Sequence, residues 1–140
     1  MSKGARQDYI DDRAADLMEN YRAVVREGGC ISLRQAFRRV IARPAKRFYV
    51  SSDRAYHVLL KMRKVGVNAL HGMTKEHRMM FIDLWAVYQR MKRMPMFRKA
   101  SLYFLVDRAI GQPAPRFYIT PETLKKIFYK WKRERRYVRR

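Results

Sequence analysis

The sequence predicts an all-α fold, six helices arranged as two pseudo-symmetric three-helix repeats that share one core. Three observations predict it. An eight-residue segment recurs at a fixed offset, apolar residues recur at three-or-four spacing on both sides of each copy, and no stretch offers a strand partner of convincing length.

Pro44-Ala45-Lys46-Arg47-Phe48-Tyr49-Val50-Ser51 returns as Pro113-Ala114-Pro115-Arg116-Phe117-Tyr118-Ile119-Thr120, 69 residues later and identical at five of eight positions. Upstream at the same offset, Ser32-Leu33 matches Ser101-Leu102, and Arg39 and Ile41 match Arg108 and Ile110. Downstream, Ala55, Val58, Leu59 and Met62 fall on Leu124, Ile127, Phe128 and Trp131, which preserves one helical face. Asp16-Leu17 and Tyr21 match Asp83-Leu84 and Tyr88 at an offset of 67, so two residues separate the registers. These matches read as duplication of a whole unit, with repeats at about 8–66 and 75–137.

The first helix of copy one is expected over about Asp8 to Glu27, where Ile10, Ala14, Leu17, Met18, Tyr21, Val24 and Val25 mark a buried face and Gly28-Gly29 ends it. Its counterpart follows the N-cap candidate Thr74, carries Met80, Leu84, Val87, Tyr88 and Met91 on one face, and stops before Pro95. The second helices start near Ser32 and Ser101 and end near Arg43 and Gly111. Each is followed by a proline-bearing linker whose Arg-Phe-Tyr-Val or Arg-Phe-Tyr-Ile run favours extended backbone. The third helices are expected at about Ser52 to Lys64 and Pro121 to Tyr137, with Ser51 and Thr120 as N-caps and Pro121 at N1, where its missing N–H costs nothing. A half of about 65 residues is marginal alone. Together with the apolar Trp85, Met79, Met80 and Phe81, this predicts one intertwined domain over residues 1–140 with a basic C-terminal tail at about 132–140.

Charge sets the expected partner. Thirty-three Lys and Arg against twelve Asp and Glu leave a formal net charge of +21 on 140 residues. That exceeds what solubility requires and repels itself unless a polyanion neutralises it. No segment approaches the about 18 uninterrupted apolar residues of a membrane span, and the N-terminal residues lack a signal-peptide apolar stretch, so nucleic acid is expected rather than membrane, in the cytoplasm or a phage particle. The single cysteine, Cys30, reads as a small semi-buried residue.

The strongest functional signal lies in the last helix. Lys125, Lys126, Lys130, Lys132, Arg133, Arg135, Arg136, Arg139 and Arg140 are opposed over residues 125–140 only by Glu134 and interleaved with Phe128, Tyr129, Trp131 and Tyr137. Cations release counterions from phosphates and exposed aromatics stack on bases. Phe128 and Trp131 align with core positions of the first copy, which leaves Tyr129 and Tyr137 as contact candidates. Arg34, Arg38 and Lys46, with Arg39, Arg43 and Arg47, suggest a second basic surface, and Arg90, Lys92, Arg93, Arg98 and Lys99 a third. The linker between second and third helices, about eight residues, exceeds the turn of a helix-turn-helix, which reads against that motif. Residues 1–70 carry 15 basic and 7 acidic side chains, a net of +8, and residues 71–140 carry 18 and 5, a net of +13. Nucleic acid is therefore expected on the second copy.

Arg47 and Arg116 have two readings. They are phosphate contacts, or they pair with the equally repeated Asp16 and Asp83 while the neighbouring aromatics fill each half's core; the second reading is preferred. Enzymatic constellations are thin. His57, His71 and His77 are the only histidines, His71 and His77 have no cysteine or carboxylate cluster at ligand spacing, and neither a glycine-rich phosphate loop nor a nucleophile elbow is present. No catalytic residue, metal or cofactor is expected.

The tandem Pro-Ala-x-Arg-Phe-Tyr-(Val/Ile)-(Ser/Thr) pattern followed by a basic helix resembles a group of uncharacterised small basic proteins encoded by gut bacteria and their phages or mobile elements, over about Asp16 to Arg136. The resemblance implies no activity and carries over no functional residues. The expected function is a non-catalytic DNA- or RNA-binding accessory protein, for instance a subunit of a reverse transcriptase, integrase or packaging assembly. The rival is a structural or scaffold protein, such as a virion component docking acidic partners, to which nine methionines would lend an adaptable surface. An amphipathic helix lying on anionic membrane fits residues 121–140 but leaves the other basic surfaces unexplained.

Overall fold

The structure, a computed structural model, describes the backbone of residues 3–30 and 32–138 and the side chains of residues 9–30 and 32–134. It is all-α. Helices α1 (Lys3–Glu27), α2 (Leu33–Ile41), α3 (Ser52–Val65), α4 (Lys75–Lys92), α5 (Leu102–Ile110) and α6 (Pro121–Val138) follow in order, with 3-10 turns at Gly66–Leu70 and Pro95–Phe97.

The ends of these helices are set by side chains visible in the sequence. Ser32, Ser51, Thr74 and Ser101 each accept a hydrogen bond from the backbone N–H three residues on, which satisfies one of the donors a helix start leaves open. Thr120 does the same for the Thr123 N–H ahead of α6. At the far end of α1, Gly28 and Gly29 take φ of 74° and 84°, backbone that glycine adopts without strain.

The linkers after α2 and α5 meet each other. Ala45 and Ala114 form an isolated antiparallel bridge, each N–H donating to the other's carbonyl at 2.9 and 3.0 Å. Outward from it, Phe48 N–H donates to Ile110 O at 2.9 Å and Phe117 N–H to Ile41 O at 3.0 Å. Every partner in this set is the residue 69 positions from its counterpart. The pairing is too short to make a strand, so two backbone stretches that carry no regular structure of their own satisfy one another's buried polar groups.

The aromatics of the two linkers stack across this junction instead of filling separate cores. Phe48 lies parallel to Tyr118 at 6.0 Å between ring centroids, and Tyr49 parallel to Phe117 at 6.2 Å. The expected Arg47–Asp16 and Arg116–Asp83 pairing is likewise replaced. Asp16, 3% exposed, accepts from the Tyr49 hydroxyl at 2.7 Å, the Lys46 N–H at 2.8 Å and Asn20 Nδ2 at 2.9 Å. Asp83 accepts from the Tyr118 hydroxyl at 2.6 Å. Arg47 turns to backbone carbonyls, donating through Nε to Phe48 O and through Nη2 to Val50 O, both at 3.1 Å. The physical reason is reach: phenol and carboxylate approach closely without burying a second charge, which a guanidinium in the same place would require.

The third helices cross over. Helix α3 packs on α5 and α4, while α6 packs on α2 and α1. Phe128 of α6, 3% exposed, sits with its ring centroid 4.9 Å from that of Tyr21 and 5.3 Å from that of Phe37, in the tilted and edge-on geometries aromatic pairs favour. Leu124 and Phe128 seal the α1–α2 side, and Ala55, Leu59 and Met62 seal the α4–α5 side. The buried apolar side chains form one cluster drawn from both halves.

Candidate nucleic-acid interface

Helix α6 turns Leu124 and Phe128 inward, with Ile127 and Trp131 partly buried beside them, and its described charged positions face outward. Lys125, Lys126, Lys130, Lys132 and Arg133 are exposed, and Tyr129 keeps 43% of its surface in solvent. The Lys132 ammonium lies 4.8 Å from the Phe128 ring centroid, and the Arg22 guanidinium of α1 lies 5.4 Å from that of Trp131. These cation–π contacts extend basic side chains over the edge of the core without removing their charge. Lys130 and Glu134 approach at 4.0 Å, one turn apart and both exposed, a pair of small energetic weight.

Helix α2 brings the second surface alongside. Arg34 and Arg38 are exposed on it, and its packing against α6 creates a groove of about 290 Å³ lined by Leu33, Arg34, Phe37, Pro121, Glu122, Lys125 and Tyr129. An apolar floor, an exposed phenol and cations on both walls thus come from segments about 90 residues apart. The sequence named Arg34, Lys125 and Tyr129 separately, with nothing to indicate that they meet.

Other named residues are placed elsewhere. Lys46 donates to Glu19 at 2.8 Å, with both side chains about two-thirds exposed, so part of its charge is already answered. Arg43 donates to Glu27 at 2.7 Å and to Asn20 Oδ1 at 2.9 Å, and Arg39 to the Gly28 carbonyl at 3.0 Å. These two arginines hold the α2 face against the C-terminal end of α1, where the helix dipole favours cations. The backbone at Arg135, Arg136 and Tyr137 continues α6, but their side chains, and all of Arg139 and Arg140, lie outside the described residues.

Arg13 and Arg54 were not singled out in the sequence, and His77 only as a histidine without a ligand cluster. They line, with Arg47 and Arg116, a cleft beside the paired linkers. A signal existed for Arg13, which falls between Ile10 and Leu17 on the stripe of α1 otherwise made of apolar residues. Burial drives its guanidinium pKa down, against the opposing influence of Tyr9 and Tyr49. His77 is also shifted down, first by desolvation and then by the charge of Arg54, with Arg13 adding to it.

Among the described residues no group of three or more His, Cys, Asp or Glu is arranged to hold a metal ion, and no helix is long and apolar enough to cross a membrane. No known protein family, curated protein or solved structure matches the chain.

Proposed function

We propose that this is a non-catalytic nucleic-acid-binding accessory protein that lays the joined α2 and α6 surface along a phosphate backbone. The observation that carries the reading is the groove lined by both Arg34 and Lys125 together with the exposed Tyr129. Cations on both walls suit phosphates running past, and the phenol offers a stacking face for a base. The groove makes no demand on base identity, so DNA and RNA are both admitted.

Binding to a labelled oligonucleotide, measured by fluorescence anisotropy across about 50 to 150 mM salt, tests this. The wild-type chain binds with a steep inverse salt dependence. Replacing Arg34, Lys125, Lys126 and Lys130 with Gln weakens binding and flattens the slope of log K against log salt by about 0.7 to 0.9 for each phosphate that is no longer neutralised, with the circular dichroism unchanged because all four side chains are exposed. Absence of binding by the wild-type chain throughout that range would refute the function. Unchanged affinity in the variant would move the interface to the Arg90–Lys99 surface.

One observation favours a scaffold role instead. Met96 is 78% exposed, close in sequence to the exposed Met94 and to Phe97, whose ring centroid lies 6.3 Å from that of the exposed Phe104, an apolar surface suited to a protein partner. Light scattering after nuclease treatment discriminates, since a stable oligomer indifferent to nucleic acid supports the scaffold.

A further inference from the structure

The cleft beside the paired linkers stands apart from the α2–α6 groove. Its inner part, about 30 Å³, is lined by Arg13, Arg47, Arg116 and His77 together with Tyr49 and Tyr118. It adjoins a wider part of about 400 Å³ that shares Arg13, Tyr49 and His77 and adds Arg54 and Tyr9. Among the described residues lining either part there is no carboxylate. Four arginines, from α1, α3 and both linkers, thus line the two parts, and the carboxylates of Asp16 and Asp83 are already engaged by the Tyr49 and Tyr118 hydroxyls.

Two further features make this more than a crowded basic surface. Arg13 is partly buried, and its Nε is buried without a hydrogen-bond partner, an arrangement that is costly for a charged donor unless an acceptor meets it. Arg47 is held in place, because two of its donors engage the Phe48 and Val50 carbonyls and its guanidinium lies 5.6 Å from the Tyr49 ring centroid. A donor fork immobilised in advance loses little freedom when an oxyanion arrives. Arg116, its counterpart 69 residues on, lines the same cavity from the other linker.

We infer that this cleft binds one phosphate group, gripped by Arg13, Arg47 and Arg116, with one or two of its oxygens in the narrow inner part and its substituent in the wider part beside Arg54 and His77. Guanidinium forks match the oxygens of a phosphate, and charge-assisted hydrogen bonds of this kind are the strong ones. The phosphate belongs either to a nucleic-acid strand or to a free oxyanion. The site neither uses the α6 surface nor depends on it, so the two readings fail separately.

The test follows His77 by NMR in the full-length chain while inorganic pyrophosphate, or in a second arm a short oligonucleotide, is added at constant ionic strength. The groups facing His77 are Arg13 and Tyr9 on α1, Arg54 on α3, Arg47, Tyr49, Arg116 and Tyr118 in the linkers, and Glu76 on its own helix. A bound phosphate adds negative charge to this set and raises the His77 pKa; chloride at the same ionic strength does not. Arg116→Gln, at an exposed position, keeps the fold and weakens pyrophosphate binding about tenfold or more, as loss of one charge-assisted partner requires. Arg13→Met removes the response and does not lower the melting temperature measured without phosphate. The variant lacking Arg34, Lys125, Lys126 and Lys130 binds pyrophosphate as the wild type does. A response to the oligonucleotide assigns the phosphate to a nucleic-acid strand, and a response to pyrophosphate alone assigns it to a free oxyanion. If neither ligand moves His77, or if Arg116→Gln binds pyrophosphate as tightly as the wild type, there is no such site.

Discussion

Asp16 and Asp83 are equivalent in sequence and unequal in structure, and removing them should reveal the difference. Asp16→Ala deprives the Tyr49 hydroxyl and the Lys46 N–H of their acceptor, at 2.7 and 2.8 Å, and removes one of two acceptors from Asn20 Nδ2, which keeps the residue 16 carbonyl at 2.9 Å. Hydrogen bonds to a charged group contribute about 1.5 to 3 kcal/mol each, and a buried donor left unsatisfied costs about 1 to 3 kcal/mol. These terms overlap and are partly offset by no longer burying the carboxylate, so the expected loss is about 3 to 5 kcal/mol. Asp83→Ala deprives Tyr118 alone of a described partner at a less buried position, and about 1 to 2 kcal/mol is expected. Urea denaturation at neutral pH, followed by circular dichroism, measures both. A double-mutant cycle of Asp16→Ala with Tyr49→Phe should return a coupling of about 1 to 3 kcal/mol. Equal losses for the two aspartates, or a loss below about 1 kcal/mol for Asp16→Ala, would refute the claim that Asp16 anchors the linker to α1.

Two further outcomes follow from the same core. Phe128→Ala removes a ring wedged between Tyr21 and Phe37 and should cost about 3 to 5 kcal/mol; a loss under about 1 kcal/mol in the same assay would mean that α6 does not seal the α1–α2 side. Tyr49 and Tyr118 are shifted well above the ordinary tyrosine pKa, first by desolvation and then by their hydrogen bonds to Asp16 and Asp83. A raised folded-state pKa gives stability that is complete below about pH 10 and is lost as pH rises towards the folded-state value. Urea midpoints between about pH 8 and 11 should therefore fall more steeply for the wild type than for Tyr49→Phe/Tyr118→Phe, and parallel curves would contradict the shift.

Where the chain's signals are local, the sequence was legible. Ser32, Ser51, Thr74 and Ser101 cap the helices they were expected to cap, because an N-cap acts on an N–H three residues away and needs no tertiary information. Helical periodicity placed Leu124 and Phe128 inward, yet periodicity reports that a face is buried and not what buries it. The crossing of α3 and α6 was therefore not visible. The same limit hid the pairing of Ala45 with Ala114, since a single bridge has no alternation to detect. The repeated Arg and Asp suggested an ion pair by their co-occurrence, whereas Tyr49 and Tyr118, equally repeated, make the actual contacts to the carboxylates. The α2–α6 groove was half legible: its residues stood out by charge and aromaticity, while their convergence depends on the crossover.

That crossover has a consequence for how the protein is made. Tyr21 and Phe37 emerge from the ribosome early, but the side chain that covers them, Phe128, belongs to the last helix. At about 5 to 20 residues per second, the α1–α2 hairpin waits several seconds with its aromatic face bare, and α4 and α5, by contrast, find α3 already waiting for them. The first half of the chain is thus the last to be completed, and it is completed by the same helix that carries the densest positive charge. Newly made protein that meets a polyanion before α6 has docked is exposed to being held open by it, so the order of folding and binding matters for this molecule.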